Sequence, residues 1–235
     1  MFTQGRQVRP HIQTMVPTNI LFRTYFILAA EYGTAFAIDV GESQYLVTAR
    51  HLIPETGTEI DLQVMHNKQW HKGKVKVVGR GKGELDIAVL KAPSRLTPKK
   101  FEVSLGFGEI ELGQDVFFLG FPYKLWTDYG DVLAGLPGAF VKRGTLSAVS
   151  FDHPKTLHVD AINNAGFSGG PLYFFKSKDS QKVSVAAIVS KFRTEYESVL
   201  DKDGNATEMR VAYNTGFLIA YDIKYALALI EASEA

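Results

Sequence analysis

The stretch NNAGFSGGPLY, residues 163–173, sets Ser168 among glycines where no regular helix can form. Its centre, Gly166-Phe167-Ser168-Gly169-Gly170, satisfies two nucleophile patterns at once. One is G-x-S-x-G, a sharp turn from a strand into a helix. The other is G-x-S-G-G-P, a turn that returns the chain to a strand, here the β-prone run LYFF (172–175). The two demand different folds, and the rest of the chain decides between them.

Chain order decides the chemistry, because a hydroxyl is a poor nucleophile until a histidine accepts its proton and a carboxylate holds that histidine. The strand-to-helix elbow runs Ser, acid, His. All six histidines (His11, His51, His66, His71, His153, His158) precede Ser168, so that order leaves the serine without a base. An Asp-His-Ser order could enlist Asp39, but it expects an α/β scaffold. The remaining order, His-Asp-Ser, is met by LVTARHLI, ELDIAVLK and AGFSGGPLY, which supply His51, Asp86 and Ser168.

The strand pattern agrees. Short β-prone runs recur between turn signals: YLVTA (45–49), EIDLQV (59–64), KVKVV (74–78), IAVL (87–90), DVFFLG (115–120), LYFF (172–175), VSVAAIV (183–189) and GFLIA (216–220). Without intervening helical periodicity they predict an antiparallel all-β sandwich or barrel. Only the end departs from this. Asp222 can cap IKYALALIEA, where positions 223, 226, 227 and 230 put apolar side chains on one helical face. The segment 98–113, with Pro, Gly and mixed charge, reads as the bridge between two β units.

Composition narrows the function. With 235 residues, 46% of them hydrophobic, the chain can bury a large core. Lys plus Arg (26) against Asp plus Glu (25) leaves a formal charge of +1, which provides no basic field for nucleic acid or an anionic membrane. Zero cysteines exclude disulfides, thiolate metal sites and a cysteine nucleophile. The apolar run TYFILAA (24–30) is too short for a span and reads as a first strand, so a cytoplasmic location is expected.

Taken together, the motifs resemble those of the chymotrypsin/trypsin-like serine proteases, and more closely their bacterial Deg-type (HtrA) branch. GTAFAI followed by YLVTARHLI is similar to the family's first-barrel strand and T-A-x-H turn, DIAVLK to the strand that carries the acid, VDAINNAGFSGGPLY to the nucleophile loop, and ELGQDVFFLGFP to an l-G-x-x-V-x-x-x-G-x-P segment. The resemblance covers roughly residues 24–232. It implies two antiparallel six-stranded β-barrels with a C-terminal helix: a tail over 1–18, a first barrel over 19–105 with His51 and Asp86, and a second barrel over 106–235 with Ser168.

It also implies roles. His51 is the general base, Asp86 fixes its tautomer, and Ser168 attacks the scissile carbonyl, while the N–H groups of Gly166 and Ser168 form the oxyanion hole. Ser190 lies near the acid, and Ser190, Lys191 and Phe192 form the edge that pairs with substrate backbone. Ile162 takes the floor of the specificity pocket, with no carboxylate there, and Gly216 leaves its wall open. The expected function is a cofactor-free, metal-free serine endopeptidase that cleaves protein or peptide substrates after small or apolar residues. A catalytically silent, partner-regulated peptide-binding scaffold of the same fold is the alternative.

Departures from the family's pattern are Ala35, Arg50, the aromatic insertion 122–140 and Phe167. Zymogen-type relatives place at this last position an aspartate that receives a freed amino terminus. Loop 163–168 must therefore be ordered by its own packing or by a partner. The resemblance does not extend to a PDZ domain. GRGKG (79–83) precedes a strand and reads as a loop, not a phosphate site; DKDGN (201–205) reads as a hairpin turn.

Overall fold

The computed structural model describes residues 16–176 and 182–234; apart from its last three residues, the expected tail lies outside them. Six strands close the first barrel: β1 (Thr24–Leu28), β2 (Tyr32–Val40), β3 (Ser43–Thr48), β4 (Glu59–His66), β5 (Gln69–Arg80) and β6 (Ala88–Lys91), in the order β1-β2-β3-β6-β5-β4. The β4–β5 turn is Asn67-Lys68, both left-handed (φ 48° and 62°), as a two-residue hairpin turn of the primed type requires.

The second unit comprises β7 (Ser104–Leu105), β8 (Asp115–Gly120), β9 (Phe140–Ser150), β10 (Thr156–Asp160), β11 (Pro171–Phe175), β12 (Val183–Leu200) and β13 (Ala206–Asp222). Its order is β11-β8-β9-β10-β13-β12-β7, and a further β11–β12 pairing closes six of the strands into a ring. The two-residue β7, inside the 98–113 bridge, adds in parallel to β12.

Strand alternation distributes the core. Tyr25 and Ile27 point into the first barrel with Leu46, Leu62 and Leu90, while Phe26 between them points to the barrel–barrel interface with Phe36, Phe121 and Tyr173. Phe118, Phe167, Leu172 and Phe174 fill the second barrel. Each fully buried Leu, Ile or Phe side chain among these contributes about 1.5–3 kcal/mol relative to exposure. The C-terminal helix, Lys224–Glu234, begins where Asp222 Oδ1 accepts the Lys224 N–H (2.9 Å), and it buries Ala226 and Ile230 in the interface cluster.

The predicted strands at 183–189 and 216–220 prove to be the roots of a much longer hairpin. β12 runs on to Leu200 and β13 returns from Ala206. Over residues 193–200 and 206–217 neither face of this arm is buried, so its polar–apolar pattern carries no alternation. It is held by the cross-strand ladder itself, from Thr194↔Asn214 to Ser198↔Arg210.

The 122–140 insertion folds back on the first barrel. Asn67 N–H donates to Gly135 O (2.8 Å), and the Lys124 ammonium sits 4.1 Å from the Tyr32 ring centroid. Phe121, just before it, stacks on Phe26 at 4.7 Å. This docking brings residue 123 to the cleft.

Candidate active site

His51 sits in a 3-10 turn, Arg50–Leu52, that follows β3 at the cleft edge. Asp86 lies just before β6, in a loop braced from two sides. Arg50 donates to the carbonyls of Gly81 (2.8 Å) and Gly83 (3.0 Å), and the Tyr221 hydroxyl, from the second barrel, donates to Glu84 O. Of GRGKG, expected to be a loop, Gly79 and Arg80 end β5, and the loop begins at Gly81, where a Cβ would meet Leu85 O at 2.2 Å.

The Asp86 carboxylate accepts three hydrogen bonds. His51 N–H reaches Oδ1 at 2.9 Å, His51 Nδ1 reaches Oδ2 at 2.7 Å, and Ser190 Oγ donates to Oδ2 at 2.6 Å. Burial pushes the Asp86 carboxyl up, but the bonds from His51 and Ser190 outweigh it and hold the group below its usual range. The bond to Asp86 raises His51 above the ordinary imidazole value, against the opposing effect of burial.

Ser168 follows a tight turn. The Phe167 N–H donates to Asn164 O (3.2 Å) with Gly166 at φ +104°, the signature of a type II turn. No side chain fits at Gly166, where a Cβ would lie 2.2 Å from Phe121 O, nor at Gly169, where it would lie 2.0 Å from Thr34 O. Thr34, on β2, crosses the cleft to tie the loop down: its N–H donates to Ser168 O (3.0 Å) and its Oγ1 to Gly166 O (2.7 Å).

Two amides are left open. The Tyr123 N–H donates to Ala165 O at 2.9 Å. Because a trans peptide points its C=O and N–H in opposite directions, this bond turns the Gly166 N–H away from residue 123. Among the described residues, neither the Gly166 nor the Ser168 N–H meets an acceptor. The Ser168 hydroxyl donates to Ser190 O at 2.8 Å and makes no hydrogen bond to His51. Ser190 thus serves two neighbours, its hydroxyl on Asp86 and its carbonyl on Ser168.

The remaining predicted residues line the approach. Lys191 is exposed and Phe192 half-buried; they pair with Ile219 and Leu218 of β13. Gly216 has φ +81°, and its carbonyl accepts the Ala161 N–H at 2.8 Å. The Ile162 side chain is 57% exposed. Phe167 is fully buried, its ring edge-on to Phe118 with centroids 5.1 Å apart. Thr34, Tyr123 and Lys142 were not singled out from the sequence. Thr34 lies within the quoted GTAFAI motif, whereas nothing in the sequence marks Tyr123, a non-glycine residue at φ +52°.

A family model described as a trypsin-like peptidase domain matches residues 33–177, from β2 through His51, Asp86 and Ser168 to the end of β11. The chain belongs to the trypsin-like peptidase family. No curated protein matches it significantly. Solved structures similar to this peptidase include a variant of the HtrA-type protease AlgW with tripeptide (20% identity, TM-score 0.58), over 92% of this chain and 61% of that one. The Rv3671c protease in its inactive form, from M. tuberculosis, is 14% identical, with a TM-score of 0.56 over 92% and 91% of the two chains. The MamO protease domain from Magnetospirillum magneticum is 15% identical, with a TM-score of 0.52 over 90% and 97%.

At these identities the likeness is one of fold. The peptidase spans about three-fifths of the AlgW chain. Among the described residues, no helix is long and apolar enough to cross a membrane, and no three His, Asp or Glu side chains converge on a possible metal position.

Proposed function

We propose that the peptidase hydrolyses peptide bonds through an acyl-enzyme formed on Ser168. One observation carries this reading: a carboxylate–imidazole pair stands beside a serine whose loop leaves two amide N–H groups without acceptors. An incoming peptide places the N–H of the residue before the scissile bond on Ser190 O, along the 190–192 edge. The Ser168 hydroxyl turns from that carbonyl to His51 Nε2 and attacks as His51 takes its proton. The oxyanion is received by the Gly166 and Ser168 N–H groups. The imidazolium, steadied by Asp86, then protonates the leaving amine, and water repeats the sequence to free Ser168.

Labelling by a fluorophosphonate, with heat-denatured protein as control, tests this directly. The Ser168 hydroxyl resting on Ser190 O favours a second reading, a partner-regulated scaffold. Absence of labelling with and without added substrate-like peptides would select it.

The pH profile follows from His51. The base must be neutral, and Asp86 stabilises its protonated form, so kcat/KM should rise through an apparent pKa above about 6.5 and fall away in acid. The stability linkage has the opposite sense: the raised His51 stabilises the fold below its unfolded pKa, a contribution lost as pH rises through the folded one. A flat kcat/KM between about pH 5 and 8 would remove His51 from the role of base.

The family resemblance assigns Ile162, 57% exposed in the free structure, to the pocket floor, where it offers no carboxylate to pair with a lysine or arginine head group. Cleavage profiles on a peptide library should show small or apolar residues before the scissile bond. Dominance of Arg or Lys there would place the pocket elsewhere.

A further inference from the structure

Phe167 anchors the nucleophile loop by packing, but a buried ring on one side of a turn does not choose between the two orientations of the preceding peptide. That choice matters. Exchange between type II and type I turns rotates the central peptide, here Ala165–Gly166, by about 180°. The exchange would swing the Gly166 N–H out of the oxyanion position and bring the Ala165 carbonyl in.

Lys142 reaches this turn from β9. Its Nζ donates to Ile162 O at 2.6 Å and to the Asn164 carboxamide oxygen, and it lies 5.3 Å from the Phe167 ring centroid. The Asn164 carboxamide nitrogen donates in turn to the Tyr123 hydroxyl at 3.1 Å, and the Tyr123 N–H already holds Ala165 O. The carbonyl two residues before the turn, the side chain at its first residue and the carbonyl of its second are therefore all held, by Lys142 and Tyr123. Among the described residues Lys142 makes no ion pair with a carboxylate. A partly buried ammonium without a counter-charge is costly, and what it supplies in return is directed donors.

We propose that Lys142 is a positioning residue for the oxyanion hole: through Ile162 O and the Asn164 side chain it holds the turn 164–167 in the orientation that presents the Gly166 N–H to the reacting carbonyl. The proposal rests on the acyl-enzyme reading of Ser168. Lys142 touches the loop and not the scissile bond; its contact with Ile162 is to the backbone carbonyl and it does not touch the 190–192 edge, so its loss acts on the step in which the oxyanion forms.

The test compares wild type with Lys142→Met, which keeps the length of the side chain without its donors, and Lys142→Arg, which restores them. Hydrolysis of a fluorogenic peptide chosen from the library profile and the rate of fluorophosphonate labelling are both measured. Lys142→Met should lower kcat and the labelling rate by about 10- to 100-fold, short of the loss of an oxyanion donor itself, with KM within about threefold. Lys142→Arg should recover to within about fivefold of wild type. Equal labelling and kcat in Lys142→Met and wild type would overturn the clamp alone, as would a raised KM at unchanged kcat or an equal loss in the Arg variant. Should Lys142→Met not fold, Asn164→Ala carries the test, with kcat lowered about tenfold expected and an unchanged kcat overturning it. A wild-type protein that is never labelled removes the reading of Ser168, and the clamp with it.

Discussion

Ser168→Ala should keep its fold and lose turnover by about 10⁶-fold, the scale seen when a member of such a catalytic unit is removed. The fold survives because the Ser168 side chain makes one hydrogen bond, to Ser190 O, while its backbone stays tied to Thr34 and its neighbours Gly169 and Gly170 to Val189. Loss of that bond costs about 1 kcal/mol, within reach of a thermal unfolding measurement. Hydrolysis of casein or of the library peptides measures the chemical effect. A variant that still turns over near the wild-type rate would show that another group is the nucleophile.

Asp86→Asn should reduce kcat by about 10⁴-fold through the tautomer of His51. The structure says which amide atom goes where. Oδ1 accepts the His51 backbone N–H, so the variant keeps oxygen at that position and places its NH₂ at Oδ2. That second position now receives both His51 Nδ1 and Ser190 Oγ, neither of which can donate to an NH₂. The Ser190 hydroxyl can rotate and accept, whereas the imidazole must move its proton from Nδ1 to Nε2. A ring protonated at Nε2 cannot take the proton of Ser168. Single-turnover acylation, with circular dichroism to confirm the fold, measures the loss; a rate within tenfold of wild type would mean that the carboxylate does not set the tautomer.

How much was legible in the sequence depended on where each group finds its partner. The segments carrying His51, Asp86 and Ser168 lie at the ends of strands with buried faces, so their elements and order could be read from local pattern. DVFFLG at 115–120 coincides with β8 for that reason. β9 and β10 do not stand out in the local pattern, because VKRGTLSAVS mixes charge with small residues and the alternation in TLHVD is too brief. The outer half of the β12–β13 hairpin has no buried face at all. The hold on the nucleophile loop was equally hidden: Lys142 and Tyr123 act on carbonyls some twenty to forty residues away, and Tyr123 does so from a left-handed backbone that no side-chain pattern announces.

The ties from Thr34 to Gly166 and Ser168 span more than 130 positions of chain, and those from Ser190 to Asp86 span 104. Bringing such distant segments together is the slow part of building a β-rich protein. During synthesis, β2, the His51 turn and the Asp86 loop emerge long before the segment that contains Ser168, and Ser190 emerges later still. A half-made chain therefore holds an idle imidazole and no catalyst. The proposed triad is therefore a property of the closed pair of barrels and of no single segment, and it is complete only when the last of these distant contacts has formed.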